Sequence, residues 1–237
     1  MSRRKLALIA LLVVAPIQLV GTTTAMVWFP DAAWAKVGFA VAKVLLFLAP
    51  VVWLIKVGRA RPRIPRWENF PGGRGMVAAH VTGMLIVLVI GAAYLTVGRS
   101  WIDTGPMLEK VGQMGLDRWW TFALGTLYWC TINSMLEEYF WRWWVFERLR
   151  EVIGGFRGAD VAAAFGSAVL FTAHHIVALS VYFDARTTAL ASAGVFIGGL
   201  TWSLLYMKYR NIYACYVSHV WADLIIFGIG AWLIFGG

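Results

Sequence analysis

Seven stretches of mostly apolar residues, at about 6–29, 35–56, 76–98, 119–146, 159–182, 188–207 and 212–235, run through this 237-residue chain. Roughly 20 such residues, rising 1.5 Å each as a helix, cross the hydrocarbon core of a bilayer. Backbone polar groups find no water there, so only helices or closed barrels span it, and runs of this length read as helices. The spacing predicts an all-α polytopic transmembrane bundle of about seven spans, seven or eight in number. Composition agrees: 60% of residues are hydrophobic and 14% charged, whereas soluble domains carry about 25% charged residues. A disordered chain is excluded, and a soluble globule is disfavoured.

The 21 Lys and Arg outnumber the 12 Asp and Glu, for a net charge of +9. In a soluble protein that excess would suggest nucleic acid, but here the basic residues fall in short runs between spans and no nucleic-acid partner is expected. With the N-terminus in the cytoplasm, fourteen of the 21 fall in inner segments and four (Arg99, Lys110, Arg118 and Arg186) in outer ones. That asymmetry predicts a cytoplasmic N-terminus. The opening MSRRK lacks a convincing cleavage site after its apolar run, so it reads as the flank of a retained first helix. Lys36 and Lys43 interrupt the second stretch and suggest that it is tilted or broken. Trp28, Trp34, Trp101, Trp119 and Trp120 sit near span ends, as interfacial anchors do. Cys130 and Cys215 lie in apolar stretches and read as buried thiols.

The Pro-, Gly- and Arg-rich loop 59–75 is the candidate module boundary. It divides an N-terminal helix pair with a basic cytoplasmic loop (1–75) from a second unit (76–237). The loop reads as a topology determinant, with anionic headgroups the other reading.

A charge at mid-membrane costs about 2.5–3.5 kcal/mol on insertion scales, which makes each one a candidate functional group. The fourth stretch holds Glu137, Glu138 and Arg142, the fifth His174 and His175, and the last His219 and Asp223. Glu138 and Arg142 are four apart and can pair. Glu137, turned about 100° away, is left without a partner in its own helix: either a carboxylate free to act as a general base, or one simply solvated at the cytoplasmic interface beside Glu147 and Arg148. His174 and His175 diverge by the same angle, so one of the two is expected to enter a site. His219 and Asp223 share a helix face, where a carboxylate can orient an imidazole. His80, at the start of the third stretch, reads as a packing or interface residue. Helical rise puts Glu137 roughly 16 Å from Arg148, His219 roughly 13 Å from Arg210 and His175 roughly 22 Å from Asp160, compatible with one cluster if the fifth span is tilted.

These residues resemble the motifs of the CAAX protease and bacteriocin-processing (CPBP/Abi) family, intramembrane glutamic endopeptidases that include the Ras-converting CAAX endopeptidase. The EExxxR motif is present as Glu137-Glu138-Tyr139-Phe140-Trp141-Arg142. The FxxxH motif is Phe171-Thr172-Ala173-His174-His175, which selects His175. The final motif, His followed four on by Asn or Asp, is His219-Val220-Trp221-Ala222-Asp223, and Phe196-Ile197-Gly198-Gly199 fits the family's glycine-bearing helix. The resemblance covers about 118–230 and makes 76–237 an intramembrane protease domain. It implies that Glu137 and His175 activate a water and that Glu138 and Arg142 form a structural ion pair. It also implies that His219 and Asp223 bind the oxyanion. An ionised Asp cannot donate to an oxyanion. Either Asp223 is protonated, or it holds His219 and leaves donation to the imidazole.

The resemblance thus implies a membrane endopeptidase acting near the bilayer on a prenylated tail, a leader or a C-terminal anchor of a membrane-anchored or lipidated substrate. No cofactor is implied. Glu, His, His and Asp are also zinc-ligand types, so a zinc-dependent protease is one alternative, although no HExxH spacing occurs. A non-proteolytic scaffold or bacteriocin-immunity protein of the same fold is another, and a proton-coupled transporter a third. Ser134, Ser167 and Ser218 lack a nucleophile-elbow setting. The Ala-, Gly-, Arg- and Trp-rich composition leans toward a GC-rich bacterium, and hence a bacterial inner membrane.

Overall fold

The structure is a computed structural model that describes residues 2–57 and 73–236. Residues 58–72, most of the expected basic loop, lie outside the described residues. Every regular element among the described residues is helical.

Helix α1 spans Arg3–Trp28 and α2 Ala33–Lys56. The Ser2 side chain caps α1 by accepting from the Lys5 N–H. At Pro16 the missing N–H divides α1 into Arg3–Val14 and Pro16–Thr23. Helix α3 spans Arg74–Trp101, and short α4 (Thr104–Gln113) follows, capped by Asp103. Helix α5 runs over residues 119–153; α6 is Ala159–Ser180, α7 Ala185–Tyr209 and α8 Ile212–Phe235. The α6–α7 turn is set by Asp184, whose side chain accepts from the Thr187 N–H. Helix α7 stops at Arg210 in the left-handed region (φ 52°), and Asn211 caps α8 one residue later. This sharp reversal brings α7 and α8 together at the base of the site.

Six helices, α1, α2, α3, α6, α7 and α8, are long and apolar enough to cross a membrane. The stretch expected as the fourth span is helical as α5 but is not among these six. Its Trp, Tyr, Asn and charged residues lower its hydropathy, and several of those residues build the site. Of the two readings of the second stretch, tilted or broken, the second is corrected: α2 is continuous through Pro50. Lys36 faces outward while Lys43 turns toward α5. The five tryptophans expected as anchors all lie at or near helix ends.

Helix α5 is the hub. Its last turns pack against α1, its middle against α2, α6, α7 and α8, while α6 packs along α7 and α3 along α8. Phe140, Trp141, Trp144 and Phe146 are almost fully buried around it. At one end Arg210 bridges Glu147 of α5 (2.8 Å) and Asp160 of α6 (2.7 Å), and Arg150 also pairs with Asp160. The α3–α8 seam depends on a missing side chain. A Cβ on Gly83 would stand 2.5 Å from Trp221 Cδ1 and 2.8 Å from its Cβ. The Trp221 indole donates to His80 Nδ1 at 3.0 Å, and the Thr82 and Ser218 hydroxyls meet at 3.0 Å. His80 is thus a packing residue.

Gly83→Val therefore forces α3 from α8. Overpacking of this kind costs about 1–3 kcal/mol, read as a lower thermal midpoint of the purified protein in detergent. Trp221→Ala in the same chain should recover part of the loss.

Candidate active site

Helix α5 presents its polar residues from an α-helical segment, Ser134–Glu138, held between two π-helical turns, Trp129–Asn133 and Tyr139–Val145. A π-turn inserts about one residue per turn and re-aims the side chains beyond it, and such turns recur at functional sites. Here they flank both glutamates.

Glu138 and Arg142 are both fully buried, with Arg142 Nε 3.2 Å from Glu138 Oε2. The ionic contact is one of several compensations. The other Glu138 oxygen accepts from His219 Nδ1–H at 2.8 Å. Arg142 Nη2 donates to the Gly199 carbonyl at 3.3 Å, and the guanidinium lies over the rings of Phe171 (4.6 Å) and Trp202 (5.1 Å). Gly199 is required because a Cβ there would stand 2.9 Å from the Phe171 ring.

Phe171 also orients a histidine. Its carbonyl accepts from His175 Nδ1–H at 2.9 Å, which fixes that tautomer and leaves Nε2 with its lone pair in the neutral ring. The His219 ring stacks on Trp202 at 3.8 Å with a 19° interplanar angle, and the Trp202 indole donates to Ser218. His219 Nε2 then faces Asp223 Oδ1 at 3.7 Å and Glu137 Oε2 at 3.9 Å. The other Asp223 oxygen accepts from the Ser134 hydroxyl.

Glu137 has a different environment. Among the described residues it has no short ion pair; His174 Nε2 lies at 3.9 Å, His219 Nε2 at 3.9 Å and Lys43 Nζ at 3.8 Å. Ligating atoms of Glu137, His174 and His175 all lie within 4.8 Å of one another. One carboxylate and two imidazoles could hold a metal ion.

All six residues singled out from the sequence, Glu137, Glu138, Arg142, His175, His219 and Asp223, are gathered into one region. One expectation is corrected. His174 does not point away, since the two histidine rings sit 4.1 Å apart and both reach Glu137. His174 is buried and stacked on Trp141, with neither ring nitrogen hydrogen-bonded among the described residues. Their backbone positions diverge, but side-chain rotation brings both rings to the carboxylate. Sequence reasoning misses Ser134, Trp202 and Lys43 as members of the site. For Lys43 a signal exists, a lysine in the middle of an apolar helix, which taken alone marks only a disturbance of the span.

Residues 119–225, somewhat under half of the chain, match the family model described as type II CAAX prenyl endopeptidase Rce1-like. No curated protein and no solved structure matches the chain.

Removing Arg142 leaves Glu138 charged without its cation in a dry setting, an effect of about 3–5 kcal/mol. Arg142→Ala should therefore lose most folded protein by size exclusion and thermal unfolding. Arg142→Gln with Glu138→Gln should retain more of it, and an Arg142→Ala melting curve matching wild type would contradict the assignment.

Proposed function

We propose that this chain, whose residues 119–225 are of the Rce1-like CAAX endopeptidase family, hydrolyses a peptide bond at the membrane with a water activated by Glu137 and His175. The family implies a peptide hydrolase, and the helices make the chain an integral multi-pass membrane protein. The observation that carries the mechanism is the unequal use of two adjacent carboxylates. Glu138 is committed to Arg142 and His219, whereas Glu137 sits 3.9 Å from His174 Nε2 and from His219 Nε2, with a ring nitrogen of His175 within 4.8 Å. Such gaps are too long for direct hydrogen bonds and suit one bridging water.

Glu137 takes a proton from that water as it attacks the scissile carbonyl and passes it to the amide nitrogen as the C–N bond breaks, releasing a carboxylate and an amine. His175, with Nδ1–H committed to Phe171, offers Nε2 to the same water, and His174 adds a second nitrogen. His219 donates from Nε2 to the oxyanion, which requires the imidazolium form because Nδ1 already donates to Glu138. Asp223, fixed by Ser134, supports that form by facing Nε2; this favours the orienting role over direct donation. Donors aimed at a developing oxyanion in a water-poor site typically contribute the largest single part of such catalysis. No covalent intermediate is needed. The substrate is a membrane-anchored or lipidated tail, leader or C-terminal anchor, in a bacterial cell membrane by composition.

The grouping of Glu137, His174 and His175 supports a second reading, in which these three would hold a zinc ion supplying a polarised water. The Lys43 ammonium 3.8 Å from the same carboxylate weighs against a dication there.

Mass spectrometry of membrane-protein termini, comparing wild type with Glu137→Ala and His175→Ala at equal protein levels, tests the activity. Both variants should lose a set of new termini, and identical termini in all three would sink the peptidase reading, leaving a scaffold. Cleavage by purified enzyme should survive a strong chelator. Loss that zinc restores would favour the metal reading.

A further inference from the structure

We infer that Lys43, from the N-terminal helix α2, is a positioning residue of the site, fixing Glu137 through a clip on α5. The inference rests on the endopeptidase reading, but its residue lies outside the family-matched segment. Lys43 Nζ donates to Asn133 Oδ1 at 2.7 Å and lies 3.8 Å from Glu137 Oε1. Asn133 and Glu137 are four residues apart, on either side of the junction between the first π-turn and the α-helical segment. One ammonium therefore ties the two sides of that junction together.

The ordinary fate of a lysine in an apolar helix is to snorkel to the headgroups. Lys43 is ten residues from the start of α2 and thirteen from its end, roughly 15 and 20 Å of helix, too far for the stem to reach either boundary. It turns inward and is mostly buried, with Nζ 5.6 Å from the Phe39 ring centroid. A cation so costly to insert is retained where specific partners compensate it, and its observed neighbours are Asn133 and Glu137. Around Glu137 stand Lys43 from α2, His174 and His175 from α6, His219 and Asp223 from α8, and Glu138 and Arg142 of α5 itself. Arg142 is committed to Glu138, so among the described residues Lys43 is the permanently charged cation beside Glu137, opposite the His219 imidazole. Tyr139 strengthens the join between the helices by donating to the Phe47 carbonyl of α2 at 3.0 Å.

The test uses the full chain in nanodiscs, with Lys43→Met and Lys43→Arg compared with wild type. One readout is the Glu137 Cδ resonance in protein carrying ¹³C-labelled glutamate, assigned by its loss in Glu137→Gln. The other is steady-state cleavage of a peptide spanning the site found by the terminus comparison. Lys43→Met should move the Glu137 resonance and lower kcat by roughly 100-fold, the scale of a misplaced catalytic group, with KM within about twofold. Lys43→Arg should return the resonance toward wild type and recover most of kcat. An unmoved resonance in Lys43→Met overturns the proposal, as does a loss confined to KM, which would make Lys43 a substrate contact. A moved resonance with unchanged kcat overturns it too. If wild type and Glu137→Ala yield the same termini, the endopeptidase reading has failed instead, and the resonance still reports whether Lys43 holds Glu137.

Discussion

Two opposite charges with no exposure to water, Glu138 and Arg142, sit in the middle of the molecule on one helix. Each carries a desolvation penalty of several kcal/mol, which their mutual attraction offsets only if further partners complete the shell. Those partners come from elsewhere in the chain: the Phe171 ring from α6, the Gly199 carbonyl and Trp202 from α7, and His219 from α8. Three helices are thereby held around α5 in one arrangement. A shift of any of them would leave a charge uncompensated, so the pair fixes the relative depth and rotation of the elements that carry the histidines.

The remaining packing serves the same end. Phe171 acts three times: its ring lies against Arg142, its carbonyl holds His175, and its bulk requires a glycine at position 199. Trp202 contacts both Arg142 and His219. At the far end of α5, Arg210 adopts a backbone conformation that L-residues rarely take. Its pairs with Glu147 and Asp160 hold the turn that delivers His219. Side chains locked by neighbours in this way are what a precise site requires.

Much of this is legible in the sequence, for identifiable reasons. Helix positions follow from runs of apolar residues, and six of those runs are helices long and apolar enough to span a membrane. The cluster follows from charges where charges are costly. The Glu138–Arg142 pairing follows from a spacing of four, and survives although the helix there is π-wound. What is illegible depends on side-chain torsions and helix contacts. The backbone angle between His174 and His175 is near 100° in any helix, yet both rings reach Glu137 because each rotates about its own bonds. Lys43 is visible as an anomaly in α2, but nothing local shows which neighbouring helix an inward lysine meets. The π-turns flanking the glutamates leave no pattern in the order of residues, since Tyr, Trp and Arg are equally at home in an α-helix.

Adjacent carboxylates in one helix would ordinarily compete for the same cation, and here the two cations differ in kind. Arg142 offers a planar, weakly hydrated guanidinium that can meet a carboxylate, a carbonyl and two aromatic faces at once. It is spent on Glu138, whose other oxygen accepts from His219. Lys43 is a compact point charge whose one short bond goes to Asn133, and it stops 3.8 Å from Glu137. That distance supplies a field at the carboxylate without a short bond to it. A short, two-pronged pair at Glu137 would make a second structural bridge. The unequal surroundings of Glu137 and Glu138 thus trace to how closely each one's cation approaches, and of those two cations Arg142 alone lies within residues 119–225, the segment that matches the family model.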